Sequence, residues 1–66
     1  MFTIILLTAK TGYFHRAGER IAIPVYPEAT AADVLRIARE DAKNGFYHAV
    51  GVRVGNRAKS PVLWVK

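Results

Sequence analysis

The chain has 66 residues and no cysteine, and its ten lysines and arginines against five aspartates and glutamates give a formal net charge of +5. So short a chain predicts one domain, residues 1–66, with one small core. The lack of cysteine excludes a disulfide framework and a thiolate metal site. An apolar share of 52% argues against disorder, and the excess of positive charge favours polyanions or acidic protein surfaces as partners.

The first predicted element is a strand over residues 2–9. Apolar residues occupy both of its alternating faces, which predicts a central strand buried on two sides. This apolar opening is too short to span a bilayer, and it lacks the basic leader and the small-residue cleavage site of a signal peptide. We therefore expect a soluble cytoplasmic protein without membrane contact.

A polar and aromatic stretch, residues 10–19, separates the first strand from the second. It is predicted to continue the hairpin, with a bulge or bend at Gly12 and the reversal near Gly18. The second strand, residues 20–26, places its isoleucines and a valine on one face. Pro24 has no N–H to donate to a ladder, which predicts that this strand lies at an edge of the sheet.

One helix follows. Thr30 is predicted as its N-cap, and Asp33 lies where a capping-box acid reaches back to the cap. Gly45, after Asn44, is predicted to end the helix in the left-handed conformation. The apolar residues at helical spacing are Ala31, Val34, Leu35, Ala38 and Ala42.

Residues 46–54 return to strand alternation, and a turn over 55–61 leads to a last strand over 62–65. The order is strand, strand, helix, strand, strand. It predicts an α+β fold in which two antiparallel hairpins form a single sheet with one helix packed on one face. The opposite face is then partly open. The residues expected on it are Arg20, Tyr26, Tyr47 and Arg53.

The sequence offers no constellation for catalysis. The only serine, Ser60, lies in a basic turn, and the adjacent Glu40 and Asp41 diverge by about 100° around a helix. His15 and His48 show no spacing that would bring them together with a carboxylate. We therefore predict a protein that is not an enzyme, with no catalytic residue, no metal ligand and no cofactor.

Three groups of cations are the candidate binding residues. The helical group forms a stripe at i, i+3 and i+7, in which Arg36 is expected to pair weakly with Glu40, whereas Arg39 and Lys43 have no acid at the right spacing. A second group surrounds the last turn, and a third is interleaved with aromatic residues in the first loop. The three groups are Arg36, Arg39 and Lys43; Arg53, Arg57 and Lys59; and Lys10, Arg16 and Arg20 with Tyr13.

The mixture of aromatic and cationic residues in the first loop has two functional interpretations. It suits base stacking combined with phosphate contact, and it equally suits a protein interface. A third interpretation is structural, with Tyr13 and Phe14 covering the open end of a thin core.

A resemblance adds to this picture, although it includes no diagnostic motif. Gly18-Glu19-Arg20, Thr30-Ala31-Ala32 and the valine-rich segment 46–54 follow one another as they do in several small phage-encoded anti-CRISPR proteins, which this chain resembles. Many of those inhibitors are acidic mimics of DNA, and this chain is basic. The resemblance implies an inhibitor of CRISPR–Cas interference that uses basic surfaces in a bacterial host. Its partner would be the surveillance complex of Cas proteins with crRNA, whose binding to target DNA it would block or divert.

Two alternatives remain open. The protein could be a small cytoplasmic DNA- or RNA-binding protein that acts directly on nucleic acid. It could also be a homo-oligomerisation module, for example a homodimer that pairs through an edge strand.

Overall fold

The computed structural model of the chain describes residues 1–55, 57 and 59–66. The strands form one antiparallel sheet in the order β2-β1-β3-β4, and the helix packs on one face of it. The predicted α+β fold is therefore confirmed. Its elements are β1 (Phe2–Thr8), β2 (Arg20–Pro24), α1 (Ala31–Ala42), β3 (Tyr47–Val54) and β4 (Val62–Trp64).

Strand β1 is central, as its apolar pattern predicts. It pairs with β2 on one side and with β3 on the other. Ile4 and Leu6 are 3% and 2% exposed on the helix side, and Ile5 on the opposite face is 0% exposed. Burial of each of these side chains contributes about 1.5–3 kcal/mol relative to exposure, so the strand is stabilised from both faces.

The start of the helix is fixed by the predicted capping box. The Thr30 hydroxyl accepts from the Asp33 N–H at 3.2 Å, and the Asp33 carboxylate accepts from the Thr30 N–H at 3.1 Å. The bond that the Asp33 carboxylate accepts from the Thr30 backbone, followed by its interaction with the Thr30 side chain, holds the pKa of Asp33 below its usual value. Both ends of the box therefore satisfy backbone donors that the first helical turn leaves unpaired.

The buried face of α1 is centred on Val34 and Ala38, both 0% exposed. Ile37 joins this face, since it packs half-buried against the core with Leu35 and Ala42. The prediction that Ala31 lies on the face is wrong, because this first helical residue is exposed. The core cluster comprises Ile4, Leu6, Val25, Ala29, Val34, Ala38, Val50 and Val52.

The helix ends differently from the prediction. Lys43 caps it in the right-handed helical conformation, and Gly45 has no positive φ. The reversal is closed by the Asn44 side chain, whose Oδ1 accepts from the Phe46 N–H at 2.9 Å. The predicted left-handed glycine is therefore wrong, because the Lys43 and Asn44 N–H groups already donate to the Glu40 and Asp41 carbonyls, at 3.2 and 3.0 Å, without a positive φ.

A β-bulge changes the face on which the start of β3 lies. Leu7 pairs with Ala49 but Thr8 pairs with Tyr47, so His48 is the extra residue. Tyr47 is thereby turned to the helix side, where it packs half-buried against the core. The prediction that Tyr47 lies on the open face is wrong, since a one-residue slip reverses the orientation of a side chain.

The sheet face opposite the helix is partly closed by β4. Gly51 pairs with Trp64, and a Cβ at Gly51 would collide with the Val62 side chain and lie 2.8 Å from the indole of Trp64. The indole therefore rests on backbone at the one position of β3 that lacks a side chain. Ile5, the partner of Gly51 on the other side, is fully buried.

Arg53 follows the same alternation onto this face, but it is only 5% exposed, with its Nε buried and without a hydrogen-bond partner among the described residues. The expectation of an exposed Arg53 is therefore wrong. The turn that follows is predicted over residues 55–61; two of its members, Asn56 and Ala58, lie outside the described residues. Gly55, at its start, has a φ of 78° and donates its N–H to the Met1 carbonyl at 2.7 Å.

Replacement of Gly51 by alanine tests how β4 is held. The added methyl group would occupy the space of Val62 and Trp64, so we expect Gly51→Ala to lower the free energy of unfolding by about 1–3 kcal/mol. Urea denaturation followed by Trp64 fluorescence measures the change. The matched control is Gly45→Ala, where no atom lies within 4 Å and φ is not positive, and where we expect no loss of stability. Equal stability of the two variants would contradict the packing of the indole on Gly51.

Candidate binding surface at the loop end

Two separate parts of the chain meet at one end of the sheet. The connection between β1 and β2, residues 9–19, lies beside the segment that joins the helix to β3, residues 43–47. The Ala9 N–H donates to the Phe46 carbonyl at 2.7 Å, and a Cβ at Gly12 would lie 2.9 Å from the Phe46 ring. We call this end of the molecule, residues 9–20 and 43–47, the loop end.

The last residue of β1 anchors the loop. Thr8 is 0% exposed; its hydroxyl donates to the Arg16 carbonyl and accepts from the Glu19 N–H at 2.9 Å. Its carbonyl accepts from the N–H of Gly18 at 2.8 Å, and Gly18 has a φ of 82°. The reversal near Gly18 is therefore confirmed. The predicted extension of the hairpin ladder is wrong, because residues 9–19 form bends and turns that fold back on Thr8.

A carboxylate inside the loop holds its backbone. Glu19 accepts from the Arg16 N–H at 2.9 Å and from His15 Nδ1 at 3.0 Å. The bond with the His15 side chain, followed by that from the Arg16 backbone, lowers the pKa of Glu19. The Gly12 N–H also donates to the His15 carbonyl at 2.8 Å. The loop is thus organised by its own polar groups rather than by strand pairing.

Two aromatic rings project from this organised loop into solvent. Tyr13 is 101% exposed and Phe14 is 91% exposed. Their ring centroids lie 6.4 Å apart at an interplanar angle of 46°. The interpretation that these rings cover the end of the core is wrong, since neither is buried. Large apolar side chains presented together in this way are typical of recognition surfaces.

The predicted loop cations lie in or next to the loop that carries these rings. Lys10, Arg16 and Arg20 are all exposed. Lys66 is a further cation at this end, because its Nζ donates to the Tyr47 carbonyl at 2.6 Å. The loop end thus combines exposed positive charge with exposed aromatic surface.

The helical cations are paired differently from the prediction. Arg36 contacts Asp33 at 3.6 Å, not Glu40, and Glu40 instead pairs with Lys43 at 3.2 Å. The predictions of an Arg36–Glu40 pair and of an unpaired Lys43 are therefore wrong. Both observed pairs are exposed, and such pairs contribute about 0–1 kcal/mol. Within the described residues Arg39 has no ion-pair partner; it lies in the last helical turn, near the loop end.

The third group of cations is not part of the loop end. Arg57 and Lys59 are exposed and belong to the turn between β3 and β4, at the opposite end of the sheet. Arg53, near the end of β3 that leads into this turn, is buried. The structure thus brings together the loop cations and the C-terminal part of the helical stripe, and it separates both from the turn.

Sequence reasoning missed two contributors to the loop end. Glu19 positions the loop, and Lys66 bridges to the start of β3. The spacing of Glu19, three and four residues after Arg16 and His15, is the signal that predicts a braced turn. No local pattern indicates Lys66, because its contacts with Asn44 and Tyr47 span about twenty residues of sequence.

No protein-family model, curated protein or solved structure matches this chain. Across the described ranges 1–55, 57 and 59–66, no helix combines the length and apolar character needed to cross a membrane. In those same ranges, no three or more His, Asp or Glu side chains cluster where they could hold a metal ion.

The hydrogen bonds that Glu19 accepts from His15 and the Arg16 N–H, here called the Glu19 brace, make the order of the loop depend on pH. Because the folded-state pKa of Glu19 is lowered from its ordinary 4.5, its stabilising contribution is complete above that value and is lost as pH falls through the lower folded-state pKa. We expect the backbone amide signal of Arg16 to move towards its disordered position as pH falls below the ordinary value of 4.5. Two-dimensional NMR measures this titration.

The variant Glu19→Gln removes the charge at neutral pH, so it should show the low-pH position of the Arg16 amide throughout the titration. Glu28→Gln is the matched control, because Glu28 lies outside the loop. An Arg16 amide that titrates identically in wild type and Glu19→Gln would argue against the brace.

Proposed function

We propose that this protein is a non-enzymatic binding protein whose loop end contacts nucleic acid or a complex that contains nucleic acid. The observation that carries the proposal is the pair Tyr13 and Phe14, fully exposed and adjacent on an ordered loop. An organised loop displays these rings at low additional entropic cost, because Thr8 and Glu19 already hold its backbone.

The charge around the rings favours an anionic partner. Lys10, Arg16 and Arg20 lie in or next to the same loop, and the one acid among them, Glu19, is engaged by His15 and the loop backbone. Phosphate groups are attracted to such a surface through charge and through release of counterions. This electrostatic attraction contributes affinity but does not distinguish one base sequence from another, which depends on other contacts.

The separation of the rings favours unpaired bases over a duplex. Tyr13 and Phe14 do not stack on each other, since their centroids are 6.4 Å apart and their planes are tilted. Each ring thus offers its own face, and stacking of one base contributes about 1–3 kcal/mol. Bases inside a duplex present only their edges, whereas bases of a single strand can reach the rings.

The more specific form of the proposal is an inhibitor of CRISPR–Cas interference that acts in the cytoplasm of a bacterial host. It is supported by the resemblance of segments 18–20, 30–32 and 46–54 to small phage-encoded inhibitors, together with a basic surface suited to crRNA or to a strand of target DNA. In this form the loop end, with Arg39 and Lys43 beside it, would occupy the nucleic-acid path of the surveillance complex.

Binding to short labelled oligonucleotides tests the general form. We expect single-stranded DNA or RNA to bind the purified protein with an affinity that falls as salt rises, because phosphate contacts release counterions. Tyr13→Ala and Phe14→Ala should each weaken binding about fivefold or more, the lower end of the effect of losing one stacked base. Fluorescence anisotropy at several salt concentrations measures both effects.

The controls use the opposite end of the molecule. Tyr26→Ala removes another exposed tyrosine, and the double variant Arg57→Glu, Lys59→Glu reverses charges far from the loop. Reversal of two loop-end cations, Lys10 and Arg16, to Glu changes the net charge by the same amount. Equal losses for the loop-end and turn variants would show that only net charge matters, and would refute the assignment to the loop end.

Capture of a Cas complex tests the specific form. We expect the tagged protein to co-purify with a crRNA–protein surveillance complex from a CRISPR-bearing host and to reduce its binding of target DNA. The reversal of Arg36, Arg39 and Lys43 to Glu should reduce capture, since two of these residues lie towards the loop end. Arg36→Glu alone is the control, because Arg36 lies one turn further from that end. Unchanged capture by the triple variant would remove the helix from the interface.

A further inference from the structure

The two edges of the sheet differ in what their backbones offer to another chain. On β2, the Val25 N–H donates to the Phe2 carbonyl at 2.8 Å and the Thr8 N–H donates to the Glu19 carbonyl at 3.0 Å. The alternation of antiparallel pairing then directs the backbone groups of Arg20, Ala22 and Pro24 away from β1. Pro24 has no N–H, so this edge is blocked by a residue that cannot extend the ladder.

The edge at β4 has no such block among its three residues. The Val65 N–H donates to the Val50 carbonyl at 2.8 Å, and Leu63 pairs with Val52. By the same alternation, the N–H and C=O groups of Val62 and Trp64 point outward. These four groups match the bonding pattern of one further strand.

Exposed apolar side chains accompany the outward backbone of β4. Leu63 is 62% exposed on the helix side, and Trp64 is 44% exposed on the opposite face. The indole of Trp64 packs on Gly51, so it presents an apolar surface beside the edge. An added strand could cover apolar surface on both faces while it pairs with the backbone.

The charge around this edge favours an acidic occupant. No acid occurs in the sequence after Asp41, whereas Arg57, Lys59 and Lys66 flank β4. A second copy, paired antiparallel about Leu63, would bring Lys59 of one chain towards Lys66 of the other. Like charges at such a position oppose pairing, and an acidic segment reverses the sign of this interaction.

We propose that the β4 edge accepts an extended acidic segment of a partner protein as a fifth strand. This surface shares Lys66 with the loop end but none of the loop residues 9–20, and the proposal does not depend on nucleic-acid binding. Backbone bonds to Val62 and Trp64 would give affinity. Specificity would come from apolar contacts with Leu63 and Trp64 and from carboxylates near Lys59.

Selection from a displayed library of random octapeptides against the immobilised protein tests the proposal, and the binding of one enriched peptide is then measured in solution. We expect enriched peptides to alternate β-branched residues with polar ones and to carry an excess of Asp and Glu. Val62→Pro removes an outward N–H without removing a bond to β3, and should weaken the peptide about fivefold to tenfold. Ala22→Pro does the same at the β2 edge and should leave binding unchanged.

Lys59→Glu is a second variant that leaves the edge backbone intact, and it should also weaken the acidic peptide. Oligonucleotide binding of these variants should be unaffected, which separates this proposal from that for the loop end. The proposal is overturned if no acidic peptide is enriched, if Val62→Pro and Ala22→Pro bind the peptide equally, or if sedimentation shows a dimer that Val62→Pro dissociates. That last result would assign the edge to a second copy.

Discussion

The fold depends on one strand that is buried from both faces and hydrogen-bonded on both sides. Ile4 and Leu6 of β1 contact the helix-side core, Ile5 fills the opposite face, and both hairpins are built on this strand. A 66-residue chain has little core to share among its elements. Because the hydrophobic core is built mainly on β1, the outer strands can be short: β4 has three residues and β2 has five.

The same strand connects stability to the candidate binding surface through its last residue. Thr8 is buried like the residues before it, yet its hydroxyl and carbonyl bond to Arg16, Gly18 and Glu19. The loop is therefore anchored to the most stable part of the sheet. Few side chains of the loop beyond Thr8 are buried. The order of the loop therefore depends on the hydrogen bonds of the Glu19 carboxylate, which are sensitive to protonation.

Local patterns predicted the parts of this structure that local physics decides. Alternation identified β1 as central, and the pair Thr30 and Asp33 marked the helix start, because each depends on residues close in sequence. Tyr47 was misplaced because a bulge at His48 depends on how β3 meets Thr8, which alternation alone does not contain. Arg53 was predicted to be exposed because the sequence does not show that residues of β4 pack on the sheet face opposite the helix. On the helix, the prediction considered only the i, i+4 spacing of Arg36 and Glu40 and overlooked the i, i+3 spacing at which Glu40 pairs with Lys43.

The placement of the acids explains why so small a protein can present so basic a surface and still fold. Asp33 caps the helix and Glu19 braces the loop, so each compensates backbone N–H groups at a point where the fold needs an acceptor. Asp41 is an exception: partial burial and the neighbouring Glu40 raise its pKa, so its ionised form is disfavoured by the fold. Glu19 contacts His15 and Asp33 contacts Arg36, so each acid offsets positive charge mainly in its own neighbourhood, and the formal net charge is still +5. The field outside the loop end and β4 is therefore dominated by lysine and arginine, and in both proposals this positive field attracts a negatively charged partner.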